Sequence, residues 1–244
     1  MDKLFAQLLR LYLMPDAAAP AALDGQPPVA LVSGEGLRRA IVIDFPRRRE
    51  AGPERHWLDL CAVANTLQER FGFPAPAVSI TGDTGYRLWL SLAEALPEGD
   101  IRRFLAMLRD AHFPELELQP NGQVQLPPSL NARSGKWAAF IHPGMGASFA
   151  EEAGLEMAPP AAAQLAFLEG LDSIGKQQFM DALVSLKQAE TPAAPPLQPA
   201  LPAAGATAAQ EGLLLQDATL EDIVRHLHAL GIEPTFRHVL PRPA

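Results

Sequence analysis

Apolar residues recur at helical spacing from the start of the chain. Leu4, Phe5, Leu8, Leu9, Leu11 and Tyr12 predict a short helix that Pro15 ends. Residues 16–28, rich in Ala, Pro and Gly, read as a loop, and Val29 to Val32 suits a minor strand. The period then changes. Ala40 to Phe45 (AIVIDF) is a β-branched, apolar run with one acid in it, the composition of a strand buried on both faces, and Pro46 stops it. Between Trp57 and Phe71, residues Leu60, Val63, Ala64, Leu67 and Phe71 share one face at spacings of three and four, and Gly72 stands where a helix C-cap belongs. Ala77 to Thr81 (AVSIT) reads as a second strand, Gly82-Asp83-Thr84-Gly85 as a turn, and Arg87 to Leu92 as a third strand. In that third strand Leu88, Leu90 and Leu92 alternate with Arg87, Trp89 and Ser91. The second and third strands are expected to form a hairpin. Pro97 and Asp100 introduce another helix, with Ile101, Phe104, Leu105 and Leu108 inward and Pro114 at its end. Glu115–Leu118 and Gln123–Leu126 are expected to be short strands around an Asn121-Gly122 turn, and Trp137 to Ile141 a last strand.

From Ala40 onward the order is strand, helix, strand, strand, helix, strand. That order predicts an α+β fold of the split βαβ (RRM/ferredoxin-like) kind: an antiparallel sheet with helices on one face, extended by extra strands and followed by a C-terminal helical tail. In the tail, Ala161–Leu171 and Ser173–Gln188 read as helices, and Glu190 to Gln210 is an Ala/Pro linker. Thr219 then suits the N-cap of a last helix whose stripe is Leu220, Ile223, Val224 and Leu227, with Gly231 at its end. A single helix cannot bury such a stripe alone, so it must dock on the core, on another copy or on a partner. The organisation expected is 1–36 N-terminal helix and loop, 37–150 α/β core, 151–189 helical extension, 190–212 linker and 213–244 C-terminal helix segment.

Composition narrows the setting. In 244 residues with 48% hydrophobic positions, no run approaches the ~18 consecutive apolar residues of a membrane span. Met1 to Met14 lacks the small-residue cleavage site of a secretory signal. One cysteine, Cys61, excludes an internal disulfide and a Cys-cluster zinc site, which suits a reducing, cytoplasmic setting. The net charge of −8 is uneven: −2 over residues 1–36, +1 over 37–145 and −7 over 146–244. There is no broad basic footprint for nucleic acid, only the local cluster Arg38, Arg39, Arg47, Arg48 and Arg49, which also reads as a solvated loop rim.

The residue carrying the most chemical promise is Asp44, an acid near the end of an apolar strand, where burial is costly unless it is paired, protonated or metal-bound. Turn capping or pairing with a nearby arginine accounts for it equally well. Two-metal phosphoryl transfer needs several carboxylates around ions about 4 Å apart, and Pro46, two residues on along the same strand face, supplies none. Glycines at 82 and 85 would let backbone N–H groups approach an anion, and Arg87 could fork onto phosphate oxygens, although a plain hairpin turn explains the same residues. Asn131, Arg133 and Lys136 flank a turn at Gly135, either as phosphate contacts or as ordinary hairpin surface. His226 and His228 point about 200° apart on a helix and cannot share a metal.

Three of these segments together resemble the catalytic core of archaeo-eukaryotic primases, over about 105 residues. The first is Ile43-Asp44-Phe45, at the place of an acid, hydrophobic, acid triplet closing an apolar strand. The second is Ser79, Gly82, Gly85 and Trp89, flanked by Leu88 and Leu90, at the place of a glycine-containing strand hairpin. The third is Leu126-Pro127 with Ser134-Gly135-Lys136 through Phe140. The resemblance implies a DNA primase or nucleotidyltransferase ancestry, a link to DNA replication in a bacterial or mobile-element setting, and Mg²⁺ or Mn²⁺ held by Asp44. Ser79, Thr81, Gly82, Gly85, Arg87, Asn131 and Lys136 would then meet nucleotide or phosphate. The sequence departs from the pattern at Pro46, in place of the second acid, and at Arg87, in place of the phosphate-contacting histidine, and it lacks the family's zinc-binding cysteines. These departures imply a degenerate site that binds nucleotide or nucleic acid with impaired catalysis. A reading of a different class makes the chain a non-catalytic interaction module, with no membrane involved, recruiting a protein partner through Leu220, Ile223, Val224 and Leu227.

Overall fold

The apolar run read as a doubly buried strand is one. In the computed structural model, which describes residues 2–15, 27–48, 50–83 and 85–190, the strands are Val29–Ala30 (β1), Leu37–Pro46 (β2), Ala77–Ile80 (β3), Gly85–Pro97 (β4), Gln123–Val124 (β5), Ser129–Leu130 (β6) and Trp137–Ile141 (β7). The helices are Asp2–Tyr12 (α1), Arg55–Phe71 (α2), Glu98–His112 (α3), Ala161–Glu169 (α4) and Lys176–Glu190 (α5), with a 3-10 turn over Pro143–Phe149. Five strands form one antiparallel sheet in the order β2-β4-β3-β7-β6. The β3–β4 hairpin pairs as expected, Ile80 opposite Tyr86, and β4 lies between β3 and β2. This is the split βαβ core, with β6 and β7 added beyond β3.

Alternation along β2 divides the interior in two. Ile41, Ile43 and Phe45 face α2, α3 and α5, in a core that includes Leu67, Phe104 and Phe179. The rings of Phe71, Phe73, Phe104 and Phe179 meet there at centroid distances of 5.1–6.5 Å. Each fully buried ring of this size stabilises the fold by about 1.5–3 kcal/mol. Ala40 and Val42 point the other way, with Trp89 and Phe140, and α1 and α4 cover them through Leu8, Leu11, Tyr12 and Leu168. Gln164 fixes α4 to β7 by donating to the Phe140 carbonyl and accepting from its N–H, both at 2.9 Å.

Several expectations need correction. Helices do not lie on one face alone: α2, α3 and α5 take one and α1 and α4 the other, because both faces of the central strands are apolar and both must be covered. For the same reason the segments expected to flank a separate 37–150 core contribute to its interior, Leu8 from α1 and Phe179 from α5 being fully buried. Glu115–Leu118 is not a strand and no hairpin forms at Asn121-Gly122. Pro114 and Pro120 bracket that segment and remove ladder donors. Leu116 and Leu118 instead pack on the core while Asn121 N–H donates to the Val42 carbonyl at 2.8 Å, along the outer edge of β2. Gln123–Val124 pairs with Val29–Ala30, a partner far away in sequence. The linker and the helix carrying Leu220, Ile223, Val224 and Leu227 lie outside the described residues. Among the described residues, no helix is long and apolar enough to cross a membrane.

Candidate functional site

Strand register decides what surrounds Asp44. Asp44 stands opposite Arg87 on β4, Arg87 opposite Ser79 on β3, and Ser79 opposite Phe140 on β7. Directly opposed residues in an antiparallel sheet share a face, so this row lies on the α1 side. The next row inward, Val42, Trp89 and Ala77, is sealed by α1, with Tyr12 against Trp89 at 5.0 Å. In the Asp44 row Tyr12 still stacks on Phe140, at 6.1 Å, and Ser79 is buried, but the Asp44–Arg87 end is partly exposed. There the Arg87 Nε donates to the Asp44 Oδ1 at 2.7 Å, with the arginine side chain 22% exposed and the carboxylate 43% exposed. A pair this accessible contributes about 0–1 kcal/mol to stability. Its interest lies in position, because both side chains line an open cavity of about 350 Å³.

That cavity gathers part of the residue set picked out from the sequence. Asp44, Thr81, Gly85, Arg87 and Asn131 line it. Ser79 does not: it is fully buried and its Oγ accepts the Trp89 indole N–H at 2.8 Å, a structural role. Gly82 and Lys136 sit just behind the wall. Residues that the sequence reading passed over also line the cavity, among them Gln125, Ser129 and Asp83. Gln125 had a legible signal, a polar position between Val124 and Leu126. Ser129 had none, because β6 is two residues long and its place depends on pairing with β7.

Among the described residues, the backbone N–H groups of the glycine turn are engaged within the chain. Gly82 has φ +72, and a Cβ there would lie 2.8 Å from the Lys136 carbonyl oxygen, so the residue type is set by a close approach between two turns. Its N–H donates to the Ala153 carbonyl at 2.8 Å. The N–H groups of Asp83 and Gly85 both reach the Thr81 hydroxyl, at 3.4 and 3.3 Å. From the neighbouring turn the Asn131 Oδ1 accepts from the N–H groups of Arg133 and Ser134, and the Ser134 hydroxyl donates to the Gly82 carbonyl. Residues 151–156 complete the closure. Leu155 and Trp137 exchange backbone hydrogen bonds at 2.8 and 3.1 Å. The Lys136 ammonium pairs with Glu152 and, at 3.1 Å, with Glu156. Arg133 pairs with Asp83. Of the side chains singled out for phosphate, Arg87 and Arg133 both line the cavity; Arg87 is held from the sheet face by Asp44 through Nε, and Arg133 is held at the exposed turn by Asp83.

Beyond the end of β2, a second cavity of about 330 Å³ also touches Asp44, together with Arg48 and His56. His56 is buried against the Tyr86 ring at 4.9 Å, and neither ring nitrogen has a hydrogen-bond partner. Burial, and then the nearby Arg47 guanidinium, hold its pKa below the ordinary 6.5, against smaller opposing effects of Asp59 and the Pro53 carbonyl. It is therefore a neutral imidazole at neutral pH. Burial likewise pushes the Tyr86 phenol well above its ordinary range, and its hydroxyl donates to the Gly146 carbonyl at 2.7 Å.

A pair of divalent metal ions does not fit this donor set. The one acid at the β2 end is already engaged by a guanidinium, Pro46 follows on the same face, and Asp83 is held by Arg133. Among the described residues no group of three or more His, Cys, Asp or Glu side chains converges as a metal site. The chemistry open to these side chains is anion binding by a guanidinium.

No known protein family matches the chain, and no curated protein matches it. Among solved structures, it superposes on a chain described as Cyanophage S-2L Primase-Polymerase (PrimPol), AEP domain. The TM-score is 0.33 and the sequence identity 14%, over 58% of this chain and 69% of that one. A superposition that loose carries no argument about shared fold or shared activity. Function must therefore be sought in the residues of the site.

Proposed function

We propose that the open end of the sheet face binds a phosphate-bearing ligand, a nucleotide or a nucleic-acid strand, and does so without two-metal nucleotidyl transfer. The observation that carries this reading is the Asp44–Arg87 pair at 2.7 Å on the wall of an open cavity. Asp44 holds the guanidinium at Nε, which turns its two terminal amino groups into a fixed fork, the geometry suited to phosphate oxygens. Thr81 and Asn131 stand on the same wall, and the cavity, about 350 Å³, falls within the ~300–1,000 Å³ typical of small-ligand sites. Mg²⁺ and Mn²⁺, which the resemblance to primases implies, are dispensable for binding in this reading, because charge neutralisation comes from Arg87.

Labelled oligonucleotides and nucleoside triphosphates test the proposal directly. Arg87→Ala is expected to weaken binding about tenfold, the size of one charge-assisted contact. It is also expected to flatten the dependence of log K on log salt by roughly 0.7–0.9 for the lost phosphate contact. Absence of salt-sensitive binding by the wild-type chain, or binding indifferent to Arg87→Ala, overturns it.

A further inference from the structure

The first turn of α2 carries a buried side chain that takes no part in phosphate binding. His56 is 5% exposed, its ring stands 4.9 Å from the Tyr86 ring, and neither ring nitrogen makes a hydrogen bond. Trp57, the next residue, lies against the same phenol at 5.1 Å and packs on Gly146, whose carbonyl accepts the Tyr86 hydroxyl. His56 also lines the second cavity, where the end of β2 meets residues 116–121. The imidazole thus stands between the core and a cavity.

That place tolerates a neutral imidazole and disfavours an imidazolium. Protonation makes both nitrogens donors, and the nearby acids are already engaged. Asp59, on the same helix, is paired with Arg55 at 2.8 Å, and Asp44, on the cavity wall, with Arg87 at 2.7 Å. The Pro53 carbonyl favours the charged form without bonding either nitrogen. Arg47 opposes it, and is fixed in place by donating to the Glu151 carbonyl at 2.8 Å. From β4 the ring meets the Tyr86 phenol, which burial keeps neutral. The remaining charges on the cavity wall are Arg48 and Glu117, both exposed. On α2 itself the N-cap residue Glu54 makes no side-chain cap and the first turn contains no acid, so the partial positive charge of the helix start adds to the repulsion.

We infer that His56 is a pH-sensitive latch: the neutral imidazole holds the first turn of α2 against Tyr86, and on protonation the ring leaves Tyr86 for the cavity and the turn opens. The cavity, about 330 Å³, gives the ring room, and the exposed Glu117 carboxylate on its wall can receive the charge. Besides the packing of Trp57, the turn is held by the N–H groups of Trp57 and Leu58 on the Glu54 carbonyl, at 3.0 Å each. Burial holds the His56 pKa below the ordinary 6.5 in the closed form, so the open form binds the proton more tightly. The latch is therefore fully shut above the ordinary value of 6.5 and weakens as pH falls toward the closed-form pKa. Over that interval the closed-to-open ratio drops about tenfold per pH unit, the slope for one proton taken up. The latch works without a ligand, so it stands or falls apart from the phosphate reading of Arg87.

The experiment follows the full chain by NMR and amide hydrogen exchange from neutral pH into the acid range. Among the six histidines, the His56 imidazole signal is the one lost in His56→Phe or His56→Gln. Its titration midpoint is expected below the ordinary 6.5, and a midpoint at or above that value overturns the inference. After correction for the intrinsic pH dependence of exchange, the Trp57 and Leu58 amides are expected to lose protection by up to about tenfold per pH unit in the acid limb. The buried residues Leu88 and Leu90 of β4 are expected to stay protected. Equal loss in β4 would mean that the whole domain unfolds in acid, and no loss at Trp57 and Leu58 would mean that the turn does not open; either result removes the latch. His56→Phe keeps a ring against Tyr86 that cannot take a proton, so the local pH dependence is expected to vanish. Its persistence in a folded His56→Phe chain assigns the switch to another group. Should that variant fail to fold, His56→Gln and the wild-type titration decide.

Discussion

The Asp44–Arg87 pair and the Gly82–Lys136 turn lie at the same end of one sheet, and both carry residue types suited to phosphate. In the turn, the described backbone N–H groups and the Lys136 ammonium are engaged by the chain itself. The Gly82 N–H goes to Ala153, the Asp83 and Gly85 N–H groups go to Thr81, and Lys136 goes to Glu152 and Glu156. On the sheet face, Asp44 takes one nitrogen of Arg87, and the arginine lines an open cavity. The contrast shows that a donor-rich motif becomes a binding site only where the fold leaves donors unspent. Backbone groups of a buried turn must be paired within the protein, since an unpaired one costs about 1–3 kcal/mol. A partly exposed guanidinium is under no such obligation.

The largest effect that would break this contrast is expected in the closed region. Gly82→Ala forces a left-handed residue with a side chain, which costs about 1–2 kcal/mol before any steric term. Its Cβ must also displace the Lys136 carbonyl, 2.8 Å away. A fall in stability of at least about 2 kcal/mol is expected in denaturant titration, within the range such mechanisms produce. A neutral result would mean that the turn is loose enough to accept a ligand.

A smaller effect is expected at the open site. Asp44→Asn leaves a partner for Arg87 but removes the competing negative charge. Phosphate-ligand affinity in metal-free buffer is expected to rise a few-fold, equivalent to less than about 1.4 kcal/mol. Loss of binding instead, seen only when Mg²⁺ or Mn²⁺ is present with the wild type, would reinstate Asp44 as a metal ligand and overturn the metal-independent reading.

The smallest effect concerns the acids beside the turn. Glu152→Gln with Glu156→Gln releases Lys136 from two exposed partners, and exposed ion pairs are worth only about 0–1 kcal/mol each. The thermal transition should shift little. Oligonucleotide affinity should match that of a control with two equally exposed acids removed elsewhere, Glu169→Gln with Asp172→Asn. A gain beyond the control would show that Lys136 is a latent phosphate contact and that the two regions are less different than the hydrogen bonds indicate.

Much of the architecture was legible in the residue pattern. The alternation of Leu88, Leu90 and Leu92 with Arg87, Trp89 and Ser91 gives the faces of β4. The AIVIDF run gives a strand buried on both sides, and the spacing of Leu60, Val63 and Leu67 gives α2. Pairing in the β3–β4 hairpin is local, so its short turn makes it readable. What escaped was non-local: Gln123–Val124 ladders with Val29–Ala30, residues 151–156 fold back onto the two turns, and α1 and α4 supply the second layer. Each of these depends on contacts between segments far apart in sequence, which no local period encodes.

For the site the division follows the same line. By itself the sequence determined that an acid and an arginine would each stand near a strand end, because side-chain alternation within a strand is a local property of extended backbone. Tertiary structure alone decided that β2 and β4 pair in the register that puts them 2.7 Å apart, that the pair is left partly exposed, and that Lys136 and Gly82 are already spoken for. Burial and hydrogen-bond satisfaction are settled by whichever distant segment arrives to supply the missing surface or the missing acceptor.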